Sequence, residues 1–151
     1  MFDLGFEAVT GTVVWNQHRE RLHESDGPGR VPLLWAQNIV DGQLALNTSA
    51  KRRQYVETDR ALEGPAIIVN RIVGAVGAGL LRCALVPPHM RFVGENHVNV
   101  VRSRRGVMPS VPWTDLLALL SHPNIAARAV SLTGNTQISA TELTHLLPLG
   151  A

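Results

Sequence analysis

The hydrophobic period of this 151-residue chain changes once, at Pro112. Before it, apolar residues come in short runs rich in Val, Ile and Thr, broken by Gly, Pro and Asp, which is how strands and tight turns are written. After it, apolar residues stand at 113, 116, 117 and 120, the spacing of one helix face. A chain with sheet-type runs first and helix-type runs last predicts an α+β fold, a twisted and mostly antiparallel sheet followed by short C-terminal helices. Hydrophobic residues make up 45% and charged residues 17%, enough apolar material for one packed domain over residues 1–151.

Individual elements follow from local signals. Residues 7–15 read as a strand with a possible bulge at Gly11, and residues 31–40 as a second strand. Asp41-Gly42 between apolar flanks is a hairpin turn, because both positions tolerate positive φ. The polar stretch 48–64 reads as a surface loop, and residues 65–76 as β-rich. Residues 79–86 fit either more sheet or a short helix, since periodicity does not separate the two. Residues 91–102 alternate loosely and run into a basic turn at 103–106. Residues 113–121 and 125–132 form two helices interrupted at His122-Pro123, with Gly134 as a C-terminal stop. Ser139 and Glu142 have capping-box spacing, so a third helix starts at Ser139 and ends before Pro148.

Charge is unevenly spread. Thirteen of the fourteen cations are Arg, and residues 64–113 hold six of them (71, 82, 91, 102, 104 and 105) against one acid, Glu95. Such a basic middle segment is an electrostatic footprint of the kind that meets phosphate, and Arg is the cation that grips phosphate and guanine edges bidentately. A GC-rich genome also favours Arg over Lys.

Most other chemistry is poorly supported. Zinc spacing is missing, and His18, His23, His89 and His97 have no partnering Cys. The only thiol, Cys83, lies in an apolar run where a buried, inert side chain is expected. Gly74-Ala-Val-Gly77-Ala-Gly79 contains a Gly-x-Gly, but Arg82 stands where a dinucleotide fingerprint needs its third Gly. A single Cys excludes an internal disulfide framework and predicts a reducing, cytoplasmic setting. The start of the chain lacks a basic segment followed by an apolar one, and no apolar run approaches membrane-spanning length, so no membrane partner is expected. What stands out is four amide-rich clusters at 15–17, 35–38, 94–99 and 134–137. Asn and Gln read adenine edges bidentately, and they also end strands and cap loops.

Several of these segments resemble a known family. Leu132-Thr-Gly134-Asn135-Thr136-Gln137-Ile-Ser139-Ala140-Thr-Glu142-Leu143 with Leu147-Pro148 is similar to the C-terminal signature of adenine-specific (N6) DNA methyltransferases of restriction–modification systems. Thr10-Gly11-Thr-Val13-Val14-Trp15-Asn16, Pro32-Leu33-Leu34-Trp35-Ala36-Gln37-Asn38 and Gly94-Glu95-Asn96-His97-Val98-Asn99 resemble further elements of that family, in its order. The resemblance spans about residues 8–149 and implies the C-terminal target-recognition domain alone. The S-adenosylmethionine glycine motif and the Asn-Pro-Pro-aromatic catalytic loop are absent, Val86-Pro87-Pro88-His89 being wrong at both ends. Residues 72–79 also depart from the family's basic stretch.

The resemblance implies a module that holds double-stranded DNA while a separate S-adenosylmethionine-dependent catalytic domain or subunit flips and methylates the adenine. No catalytic, cofactor-binding or metal-binding residue is then expected in this chain. Asn16, Asn38, Asn99, Asn135, Thr136 and Gln137 are expected to include base or backbone contacts, and Arg102, Arg104 and Arg105 to meet phosphates. Trp15 and Trp35 are expected to pack the core. The competing readings are a non-catalytic protein-interaction subunit or remnant, and a nucleotide- or small-ligand-binding enzyme using residues 74–79.

Overall fold

The computed structural model describes residues 1–48, 52–72, 81–133 and 137–146. Two sheets and a small helical layer make an α+β fold. The inner sheet has the order β1-β11-β8-β9, with β1 at Phe6–Thr10, β11 at Val98–Ser103, β8 at Ala66–Asn70 and β9 at Cys83–Val86, all antiparallel. The outer sheet has the order β2-β6-β3-β10-β7: β2 at Leu22–His23, β6 at Tyr55–Glu57, β3 at Arg30–Leu34, β10 at Arg91–Gly94 and β7 at Leu62–Glu63. Among the strands described, only β3 and β10 pair in parallel. A hairpin of β4 (Ile39–Val40) and β5 (Gln43–Leu44) turns through Asp41 and Gly42, with φ of 51° and 76°.

The inner sheet is covered on both faces, which explains why all five residues of β8 are buried. On one face Phe6, Val69 and Val101 pack with Leu116 and Leu120 of α1 (Trp113–Leu120), Ala129 of α2 (Pro123–Thr133) and Leu143. On the other face Ile68, Ala84 and Val100 meet Leu34, Ile39 and Phe92. The outer sheet buries its far side through Leu33, Val56 and Val93 around Trp35. The capping box forms: Ser139 N donates to Glu142 Oε2 (2.8 Å), and Glu142 N to Ser139 Oγ (3.1 Å). Beyond it the chain makes a wide π-type turn over Glu142–Leu146.

Three readings of the sequence need correction. The second strand stops at Leu34, because Asn38 folds back on Trp35 and tightens residues 36–38 into a 3₁₀ turn. The polar stretch 48–64 contains β6 and β7, since Val56 alone supplies the buried face of a short strand. The first strand ends at Thr10, and Val13 rejoins only by a single bridge to Glu95. Residues 79–86 resolve as sheet over Cys83–Val86. The Gly74–Gly79 segment, the Gly134 stop and the Pro148 end lie outside the described residues.

Candidate nucleic-acid interface

The turn between β10 and β11, residues 95–97, joins the two sheets and is clamped from several sides. Glu95 N donates to Leu34 O (2.9 Å), Asn96 N to Val13 O (2.9 Å), and Arg71 Nη1 to Asn96 O (2.9 Å). Gly11 lies against it so closely that a Cβ there would run into the Glu95 carbonyl. This close approach, rather than a bulge, is what requires Gly at that position.

Within the turn, Glu95 points inward and His97 outward: the carboxylate side chain is 1% exposed and the imidazole 59%. Glu95 Oε2 accepts from His97 N at 2.9 Å, and His97 Nδ1 stands 2.8 Å from Oε1. Burial of a carboxylate is tolerated when its oxygens are hydrogen-bonded in this way. The ring overlooks a cleft of about 680 Å³ whose walls include Trp15, Trp35, Gln37, Arg52 and Arg82. The Arg52 guanidinium lies 5.0 Å from the Trp35 ring centre and 5.6 Å from that of Trp15, and Arg19 lies 4.9 Å from Trp15 on its own account. Arg82 is exposed and anchored by Nη2 to Ile39 O at 2.6 Å.

The cleft brings together most of the amide-rich clusters. Trp15, the Trp35–Gln37 turn and the Glu95–His97 turn line it directly, and so does Ile72, which bridges to Gln137. Asn16 is exposed beside Trp15, and Gln137 is exposed beside Ile72. Trp35 is 5% exposed, as a core residue should be, whereas Trp15 is half-buried and lines the cleft.

Two expected contact residues are corrected by their burial. Asn38 is fully buried in a closed amide pair with Gln54. Its Nδ2 donates to Gln54 Oε1 (2.9 Å) and Ala45 O (2.8 Å), and its Oδ1 accepts from Trp35 N (2.8 Å) and Gln54 Nε2 (3.1 Å). Every lone pair and proton of the Asn38 amide is used, so nothing is left for a base. Asn99, also 0% exposed, donates to Ile138 O (3.0 Å) and accepts from Thr10 Oγ1 (3.4 Å). It ties the C-terminal segment to the inner sheet.

The expected phosphate contacts lie elsewhere. Arg104 follows the end of β11, five residues from Asn99, about 17 Å at strand rise. Its guanidinium is stacked 3.5 Å from the Phe2 ring centre and bonded to Phe2 O. Arg102 pairs with Glu7 at 3.2 Å, and Arg105 is exposed. Asn135 and Thr136 lie outside the described residues. The cleft side chains that the sequence analysis did not name as contacts are Arg52, Arg82 and His97. For His97 a signal was present: an acid two residues before a His across a strand-to-strand turn.

Other chemistry stays away from the cleft. Residues 87–89 form an exposed turn between β9 and β10, with His89 at φ 67°. Cys83 is buried 3.3 Å from Ser121 Oγ, and burial pushes its thiol above the ordinary value, an effect the Ser121 hydroxyl partly offsets. Such a thiol is a poor nucleophile. Among the described residues no helix is long and apolar enough to cross a membrane, and no group of three or more His, Cys, Asp or Glu could hold a metal ion. No protein-family model matches the chain, and no curated protein matches it.

Proposed function

We propose that this chain is a DNA target-recognition module of an adenine-N6 methylation system, working in the cytoplasm and holding duplex DNA for a separate catalytic domain or subunit. That partner would bring S-adenosylmethionine and the base-flipping pocket. The Pro-Pro turn at residues 87–88 carries neither the polar nor the aromatic neighbour that amino-group chemistry requires, so the transfer step belongs to the partner. The observation that carries the reading is the convergence of sequence-distant amide-rich segments on one cleft edged by Arg52 and Arg82. Phosphate contacts fix a protein on the duplex, and amide and guanidinium groups read base edges. In this reading Asn16, Gln37 and Gln137 replace Asn38 and Asn99 as the amides open to DNA.

The test is a salt titration of binding to a labelled random duplex, followed by anisotropy. With about four phosphates neutralised, log K falls with log salt at a slope near −4. The Arg52→Gln/Arg82→Gln double variant reduces the slope by about two, one unit for each lost contact. Undetectable binding at low salt, or binding insensitive to salt, overturns the reading.

A further inference from the structure

The cleft holds more than a charged rim, and its chemistry suits one nucleotide rather than a stretch of backbone. A buried carboxylate fixes the orientation and the tautomer of an exposed imidazole. Both Glu95 oxygens act as acceptors, Oε2 from His97 N and Oε1 toward His97 Nδ1. A carboxylate has no proton to give, so Nδ1 carries the hydrogen, and it is the neutral form of the ring that has its lone pair on Nε2. Nδ1 being committed to Glu95, the 59%-exposed ring offers Nε2 to the cleft as an acceptor. The same cleft supplies a flat surface, the exposed Arg52 guanidinium, which lies over the rings of half-buried Trp15 and buried Trp35. It also supplies positive charge at Arg52 and Arg82, with Asp41 as a further acid at its edge. A volume of about 680 Å³ falls within the range of small-ligand sites, roughly 300–1,000 Å³.

We infer that this cleft is a subsite for a single unstacked nucleotide, whose base donates an N–H to His97 Nε2 and stacks on the Arg52 guanidinium backed by Trp15 and Trp35, while Arg82 meets its phosphate. The planar face selects a heteroaromatic ring, since stacking is indifferent to sequence. The acceptor on Nε2 selects bases with an exposed N–H, such as the amino group of adenine, cytosine or guanine. Glu95 is a positioning residue: it holds the ring and sets which nitrogen carries the proton. The inference rests on reading this cleft as a nucleic-acid surface, yet it is tested without a duplex.

The experiment titrates the full chain with deoxyadenosine monophosphate and follows tryptophan fluorescence, with inorganic phosphate and deoxyribose 5-phosphate in parallel. Saturable quenching by the nucleotide alone is the expected result. His97→Asn keeps an amide N–H that can bond Glu95 and, being shorter, leaves no acceptor at the position of Nε2. It weakens nucleotide binding about tenfold, the effect of one hydrogen bond lost with its partner left unpaired, and leaves the unfolding midpoint unchanged. Glu95→Gln lets the amide donate to Nδ1 and moves the ring proton to Nε2. The nitrogen NMR signal of His97 Nε2 then changes from pyridine type to pyrrole type as affinity falls. Equal quenching by inorganic phosphate, wild-type affinity in His97→Asn, or no quenching by the nucleotide overturns the inference. Duplex binding without nucleotide binding overturns the inference alone. Nucleotide binding without duplex binding sustains it and removes the recognition module.

Discussion

The Asn38–Gln54 pair and the Glu95–His97 pair are both polar couples set into an apolar frame, and they end in opposite ways. In the first, both amides are buried and the bonds close on each other, on Leu33 O, on Ala45 O and on the backbone N–H groups of Trp35 and Asn47. In the second, one member is buried and the other reaches solvent with a ring nitrogen to spare. A closed polar node specifies how three segments meet and has nothing to offer a ligand. A node left open on one side is held as firmly but points at something. Polar residues of similar type thus serve architecture at one place and recognition at the other, and burial of the second partner is what separates them.

The contrast is sharpest when each node is broken. Asn38→Ala strands Gln54, the Trp35 N–H and the Ala45 carbonyl in a buried site. It should cost about 3 kcal/mol, measured by urea unfolding, from several unpaired buried groups at once. A loss below about 1 kcal/mol would mean that water reaches the pair and that the node is not closed. Gly11→Ala drives a methyl group into the Glu95 carbonyl and displaces the clamped turn. Its expected cost is about 2 kcal/mol, as for other overpacked sites, accompanied by weaker duplex binding. An unperturbed Gly11→Ala variant would show that the turn yields, contrary to its clamping. His97→Asn, at the open end, changes stability by less than about 0.5 kcal/mol, so its effect on binding reads function alone.

The same contrast explains what could be read in the sequence. The Asp41-Gly42 hairpin, the 113–120 helix and the Ser139–Glu142 capping box depend on signals a few residues long, and each forms. β6 and β7 were hidden in a polar stretch because a strand at most three residues long shows too little alternation to register. Asn38 and Asn99 looked like surface amides because the partners that bury them, Gln54 and Ile138, come from other parts of the chain. Arg52 and Arg82 were lost among many arginines, since only the fold places them on the cleft shared by the tryptophans and His97.

The inner sheet also sets the order in which the chain can be completed. β1 is an edge strand whose one strand partner among the described residues is β11, with Thr10 and Asn99 paired across 89 residues. At a synthesis rate of about 5–20 residues per second, β1 waits on the order of 5–20 s for its partner. Throughout that interval Phe6, fully buried in the finished protein, has neither strand nor helix to cover it. Closure of the inner sheet therefore waits for β11 and joins contacts far apart in the chain, which is slow.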